Sequence, residues 1–170
     1  MKPTLTTSRL ILSPYTAGMV KDRHLLWLSD PEVVKYSEQR HREHTMETQH
    51  AYLNGFGADQ YIWLISPKTY EAIGTITAYV DPPNQVADMG IMLGAWRGKG
   101  FGPEAWQAVM DWLWEAYPDL RKIECGMMAS NQAMRNLAYR CGFKFEGMRW
   151  RHFLLDGKEE DCLLYGKFRP

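Results

Sequence analysis

A chain of 170 residues is long enough to bury one hydrophobic core and short for two, so we expect a single domain over residues 1–170. Twenty basic residues balance twenty acidic ones, which excludes a global charge that would draw the chain to nucleic acid or to an anionic membrane. Its apolar runs fall short of the roughly 20 residues of a membrane span, and its three separated cysteines exclude a disulfide framework and favour a cytoplasmic protein.

The first half of the chain predicts one strand, helical segments and then three strands. Alternation in RLILSPY, from Arg9, predicts the first strand, and residues 17–30 have a roughly helical apolar spacing. A short helix and a loop follow, after which Thr45 is a typical N-cap for a helix that ends at Gly55. Three strands are then predicted at the end of this half, namely residues 60–66, 71–80 and 86–93.

The second half alternates helices with strands. Pro103 suits the first position of a helix whose apolar face includes Trp106 and Val109. A strand over 121–128 precedes a helix with Asn131 as its N-cap, and the chain ends in two strands around an Asp-Gly turn at 156 and 157. This order predicts an α/β or α+β domain with a mixed sheet.

The stretch MLGAWRGKGFGPEAW, residues 92–106, resembles a phosphate-binding loop. A nucleotide-triphosphatase loop needs a hydroxyl residue directly after its Gly-Lys pair, but Gly100 follows Lys99. A dinucleotide fingerprint needs a small residue where this chain has Pro103. Backbone N–H groups before a helix N-terminus would still bind a pyrophosphate, and a plain turn between strand and helix remains the alternative.

Four motifs, in order, resemble the GNAT superfamily of acyl-CoA-dependent N-acyltransferases. RGKGFG resembles the coenzyme A loop of that superfamily, and TTSRLILSPY, ASNQAMRNLAYRCGFKFEG and LLDGKEEDCLLYGK resemble its ribosomal-protein N-acetyltransferase branch. The resemblance implies a mixed central sheet of about seven strands, flanked by about four helices and splayed into a V between strands 86–93 and 121–128. It also implies acetyl-CoA as the acyl donor, no metal, and donor-binding residues Ile91, Met92, Leu93, Arg97, Gly98, Lys99, Gly100, Phe101, Gly102 and Asn131.

The resemblance implies direct attack of an amine on the thioester in a ternary complex, with a backbone N–H near Met92 or Leu93 stabilising the oxyanion. The tyrosine that many members use as general acid corresponds here to Ala138, and the serine common in the ribosomal-protein branch corresponds to Met134. The proton donor for the thiolate therefore remains open. On the terminal strands, the candidate catalytic residues are His152, Asp161 and Tyr165.

By resemblance, residues 27–44 correspond to the segment that covers the binding site of the acceptor amine in GNAT relatives. The basic residues of this segment favour an anionic acceptor. The phrase WLSDPEVVKYSEQR resembles enzymes that acylate nucleotide-linked amino sugars, and we take Tyr36 and Arg40 as acceptor-binding residues. The favoured acceptor is a small-molecule amine, above all an amino sugar, and the alternative is the N-terminal α-amine of a protein. A non-catalytic acyl-CoA-binding module stays open as a third reading, and so does a homodimer.

Overall fold

Eight strands form one mixed sheet in the computed structural model, which describes residues 2–170. Its order is β1-β2-β3-β4-β5-β6-β8-β7. The strands are β1 Leu5–Thr6, β2 Leu10–Pro14, β3 Gln60–Pro67, β4 Gly74–Asp81, β5 Val86–Leu93, β6 Lys122–Met128, β7 Lys144–Leu155 and β8 Lys158–Phe168. The helices are α1 Asp22–Ser29, α2 Pro31–Val34, α3 Met46–Asn54, α4 Phe101–Ala116 and α5 Gln132–Arg140, with 3-10 turns at Ala17–Met19 and Glu38–His41.

All neighbouring strands run antiparallel except β5 and β6, which are parallel. A parallel pair needs a crossover connection, and α4 supplies it between these two strands. The sheet therefore changes direction in its middle, where the chain leaves β5 through the glycine loop.

Helices cover both faces of the sheet, and the alternation along β3 reflects this. Trp63 and Ile65 face the larger core, into which α4 inserts Trp106. Ile62 and Leu64 point to the opposite face and a smaller core that includes residues of α3. Because successive strand residues alternate between faces, a strand buried on both sides reads as the continuous apolar run of residues 61–65.

The predicted fold class is confirmed, with some differences in detail. The sheet has eight strands because the two-residue β1 pairs with β2. Helix α4 begins at Phe101, and Pro103 lies in its first turn, where a missing N–H costs no intrahelical hydrogen bond. The predicted caps are present, because Thr45 and Asn131 each accept a hydrogen bond from the backbone N–H three residues later. The predicted Asp-Gly turn has both residues at positive φ.

Within residues 2–170, no helix is both long enough and apolar enough to cross a membrane. The same residues contain no cluster of three or more His, Cys, Asp or Glu side chains placed to hold a metal ion. The three cysteine thiols are unpaired and buried.

Candidate active site

The central sheet opens between β5 and β6. These strands pair at three positions only, and the last pair is Asp88 with Glu124. Beyond it, β6 continues beside β8 and the rest of β5 pairs with β4 alone among residues 2–170. A cavity of about 660 Å³ fills the opening, lined by residues 90–93 of β5 on one side and by Gly126 and Met127 on the other. The sheet is thus splayed into the V that the sequence resemblance implies.

The glycine loop forms one end of this cavity, between the end of β5 at Leu93 and the start of α4 at Phe101. Gly98 and Gly100 both have φ of 78°, a conformation in which other residues are strained. The loop leads into the N-terminus of a 16-residue helix, whose first N–H groups lack intrahelical acceptors and carry partial positive charge. Its backbone therefore fits a pyrophosphate group.

Arg9, directly before β2, braces the loop from outside. Its guanidinium donates to the carbonyl oxygens of Lys99 and Gly100 at 3.1 and 3.3 Å, and it lies 4.7 Å from the ring centre of Phe101. Its Nε donates to the carboxylate of Glu104 at 2.6 Å. These hydrogen bonds hold two loop carbonyls toward Arg9 and so restrain the loop.

Glu104 pairs with Arg9 as a charged carboxylate. Burial would raise the pKa of its carboxyl, but hydrogen bonds from Thr7 and Arg9, together with the positive charge of Arg9, keep that pKa below its ordinary value. Sequence reasoning gave Arg9 and Glu104 no role, because their contacts depend on a strand and a helix that are 95 residues apart.

We call the end of the cavity formed by residues 97–102 and α5 the loop half. The end formed by α1 to α3 and the adjoining face of β3 to β5 is the helical half.

Two of the predicted donor-binding residues also stabilise the local structure. Arg97 donates to the carbonyl of Leu93 at 3.1 Å, and the side chain of Asn131 caps α5. The predicted donor-binding residues that line the cavity are Ile91, Met92, Leu93, Arg97, Gly98, Gly100, Phe101, Gly102 and Asn131. Lys99 is not among the lining residues, and its side chain is exposed.

The segment after α2 closes the helical half. The Tyr36 hydroxyl donates to the carbonyl of Ser130 at 3.3 Å, so this segment is tied to the loop that follows β6. Arg40 donates to the carbonyl of Leu154 at 3.3 Å and thus reaches the β7–β8 hairpin. Tyr36 lines the cavity and Arg40 does not. Of the two predicted acceptor-binding residues, the structure therefore brings one to the site.

A buried pair, Tyr15 and His24, lies in the wall of the helical half. The Tyr15 hydroxyl is 2.9 Å from Nδ1 of His24, and the backbone N–H of Lys21 donates to the same nitrogen at 3.2 Å. Burial, together with the positive charges of Arg23 and Lys21, lowers the pKa of His24 to about 4. Burial likewise raises the pKa of Tyr15 to about 12. Both side chains are therefore uncharged near neutral pH.

A family model described as an acetyltransferase (GNAT) domain matches residues 9–144, which is most of the chain. The chain belongs to the GNAT acetyltransferase family. GNAT membership makes it an acetyl-CoA-dependent acyltransferase and removes the alternative of a non-catalytic module. Of the ten donor-binding residues that the GNAT motifs indicate from sequence, nine line the cavity.

Relatives of this GNAT chain include a protein acetyltransferase. The [ribosomal protein uS5]-alanine N-acetyltransferase of Escherichia coli (strain K12) is 27% identical over 189 aligned positions, covering 99% of this chain and 92% of the relative. A solved ribosomal-protein α-N-acetyltransferase, RimL, in complex with coenzyme A superposes with a TM-score of 0.84 at 18% identity, over 98% of each chain. The microcin C7 self-immunity acetyltransferase MccE, in complex with acetyl-CoA and AMP, gives 0.81 at 18% identity, over 96% of this chain and 94% of that one.

The predicted catalytic residues of this GNAT chain lie away from the cavity lining. His152 is exposed beside Phe153 on β7. Asp161 accepts a hydrogen bond from the backbone N–H of Arg151 at 2.7 Å, and Tyr165 packs against the larger core. The structure does not bring these three residues together with the loop half, and their catalytic role stays a prediction.

Met134 and Ala138 occupy the positions at which other GNAT members carry the side chain that protonates the thiolate. Their surroundings differ from one another. Met134 lines the cavity, whereas Ala138 is fully buried. Tyr139, one residue later, is 81% exposed and therefore faces away from the site. None of these three side chains therefore presents a proton donor to the cavity.

Proposed function

We propose that the protein transfers the acetyl group of acetyl-CoA to the N-terminal α-amine of a protein or peptide. The observation that carries this choice of acceptor is the chemistry of the helical half, which is lined mainly by uncharged polar and aromatic side chains, with Glu32 as its charged residue. The names of the ribosomal-protein relatives support the same choice.

The basic residues that favoured an anionic acceptor have other partners. Arg40 pairs with Glu38 at 2.9 Å and with Leu154, and His44 contacts the carbonyl of Gln39 at 2.8 Å. The basic residues of this segment all fall outside the cavity lining, namely Lys35, Arg40, His41, Arg42 and His44. A nucleotide diphosphate in the helical half would therefore lack the cations that its charge requires, and the amino-sugar acceptor loses its main support.

The lining of the helical half suits an extended peptide. Hydroxyl and amide groups on its wall can pair with the neutral N–H and C=O groups of a peptide backbone, and they come from Tyr15, Gln49, Tyr52, Thr75, Thr77 and Tyr79. Glu32, an exposed carboxylate, also lines the cavity and would attract an amine that arrives as ammonium.

The reaction needs a neutral amine. An α-amine with a pKa near 7.7–8.0 is roughly a quarter to two-fifths neutral at pH 7.5, whereas a lysine side chain is almost wholly charged. The nitrogen attacks the thioester carbonyl carbon and loses a proton, the carbon–sulfur bond breaks, and the thiolate takes up a proton. Holding both reactants in one cavity supplies much of the rate, so the lack of an assigned base is compatible with an α-amine acceptor.

In this proposal residues 1–170 act as one acetyltransferase domain, located in the cytoplasm. The pyrophosphate of acetyl-CoA binds the backbone of residues 97–102, and its pantetheine arm runs along Ile91, Met92 and Leu93. Asn131 contacts that arm or an ordered water in addition to capping α5.

Mass spectrometry of a panel of acceptors, together with measurement of thiol release from acetyl-CoA, tests the proposal. Peptides with N-terminal Ala, Ser or Met should gain one acetyl group, and the same peptides with a blocked N-terminus should not. Turnover of a nucleotide-linked amino sugar without turnover of any peptide would overturn the proposed acceptor.

A further inference from the structure

The ring of His24 is held in one protonation state by its neighbours. A backbone N–H can only donate, so Nδ1, which accepts from Lys21 at 3.2 Å, carries a lone pair. The Tyr15 hydroxyl, 2.9 Å from the same atom, is then a second donor to it. The proton of the neutral imidazole therefore resides on Nε2.

This Nε2–H group is buried without a partner. His24 is 3% exposed, and its Nε2 has no hydrogen-bond acceptor among residues 2–170. A buried donor that is left unpaired costs about 1–3 kcal/mol unless a water or a ligand completes it. His24 lines the cavity, but its Nε2 has almost no exposed surface in this structure, so a molecule in the helical half reaches this donor only when the wall around the ring shifts.

The position of His24 places that molecule near the end of β5. The His24 ring lies 5.1 Å from the ring of Trp27, and Trp27 packs so closely on Gly94 that any side chain there would collide with it. Gly94 directly follows the last residue of β5. One aromatic ring thus separates His24 from the strand end beside which the acetyl group must be presented in the proposed function.

We propose that His24 is a specificity-determining residue, whose Nε2–H donates a hydrogen bond to a backbone carbonyl oxygen near the N-terminus of the acceptor peptide. This inference rests on the proposed function, since it requires an acceptor with a carbonyl beside the reacting amine. An uncharged donor suits a carbonyl, and it cannot pair with the ammonium group of the acceptor. The same protonation state excludes His24 as the base, because Nε2 already holds a proton.

Two variants and two acceptors test the contact. His24→Phe removes the donor and keeps an aromatic ring, and His24→Gln offers an amide N–H at a similar reach. With alaninamide as acceptor, His24→Phe should lower kcat/KM about tenfold, mainly through KM, and His24→Gln should retain most of the activity. With 2-aminopropane, which lacks the carbonyl, both variants should match the wild type.

An equal loss on both acceptors, or no loss on either, would overturn the role of His24 while leaving the proposed function in place. A wild type that acetylates no peptide and no alaninamide would overturn both. Binding of acetyl-CoA serves as the control for folding, because the loop half does not include His24, and each variant should keep the wild-type Kd.

A measurement on the unmodified protein provides an independent test. Long-range proton–nitrogen NMR spectra should show the His24 ring protonated at Nε2 and not at Nδ1. Addition of a peptide product, such as an acetylated N-terminal peptide, should shift that N–H resonance downfield and slow its exchange with water. An unchanged resonance at saturating peptide would contradict the proposal even if the Phe variant failed to fold.

Discussion

The two halves of the cavity are built by different means. The loop half consists largely of backbone, fixed by the positive φ of Gly98 and Gly100 and by the Arg9 brace. The helical half consists of side chains from the adjoining face of β3 to β5 and from short helices, which pack on the smaller of the two cores. Backbone geometry can bind the same donor whatever the acceptor, whereas side chains can be exchanged one at a time. In the proposed function, the loop half therefore determines the donor and the helical half determines the acceptor.

The largest effect should come from Gly100→Val, which tests the backbone character of the loop half. Valine is strained at φ of 78°, and its Cβ would also lie 3.4 Å from the Arg9 guanidinium. We expect the affinity for acetyl-CoA, measured by calorimetry, to fall roughly a hundredfold. Gly18→Val is the matched control, since Gly18 has ordinary φ and no atom within 4 Å of its Cβ position. Equal affinities in both variants would refute the loop assignment.

A second prediction concerns the helical half and its response to acid. Folding lowers the pKa of His24 from 6.5 to about 4, so the unfolded chain takes up the proton first as the pH falls. The contribution that the neutral His24 makes to the free energy of unfolding is fully present above pH 6.5. It is lost as the pH falls toward 4. Tyr15, Lys21 and Arg23 face the ring, and Glu71 pairs with both cations.

Allowing for solvent screening, we expect the wild type to lose about 2 kcal/mol more than His24→Gln over that interval. Urea unfolding of both proteins at several pH values between 7 and 4 measures this difference. Parallel stability curves would mean that His24 titrates normally in the folded protein. They would also remove the argument that its ring is neutral because it is buried.

The brace of the loop half can be removed without touching the cavity. Arg9→Ala deletes the donors to the Lys99 and Gly100 carbonyls, and the loop should then sample several conformations. We expect about tenfold weaker binding of acetyl-CoA and an unchanged KM for the peptide. Arg149→Ala, an exposed arginine on β7, should leave both constants unchanged. A peptide KM that rises with loss of Arg9 would show that the two halves are coupled.

The smallest effect should follow Arg40→Ala. Its guanidinium ties the segment after α2 to the hairpin through Leu154 and lies outside the cavity lining. We expect kcat/KM to change less than about twofold with any acceptor and the free energy of unfolding to fall by about 1 kcal/mol. A selective loss of activity toward a nucleotide-linked amino sugar would restore the anionic acceptor.

The same contrast explains what the sequence could predict. Positive φ in the loop requires glycines, and the N-terminus of α5 requires a capping side chain such as that of Asn131. Both requirements appear in the sequence as local patterns. The proposed role of His24 depends on its contact with Tyr15 and on its burial in the cavity wall. Neither can be predicted from the sequence, in which His24 is only a single histidine in a predicted helix. Arg40 was placed at the acceptor because its charge is visible in sequence, whereas its partner Leu154 lies 114 residues away.

The divergence of β5 from β6 leaves an unpaired strand edge inside the sheet of residues 2–170. Edge strands in stable proteins usually carry charges or bulges that prevent them from pairing with other chains. Residues 89–93, MGIML, carry no charge, although their outer edge lacks a strand partner among residues 2–170. Only the surrounding helices shelter this edge, so a molecule in which they have loosened exposes a strand that is prone to self-association. Acetyl-CoA bound along it would then protect the enzyme from aggregation as well as supply the acetyl group.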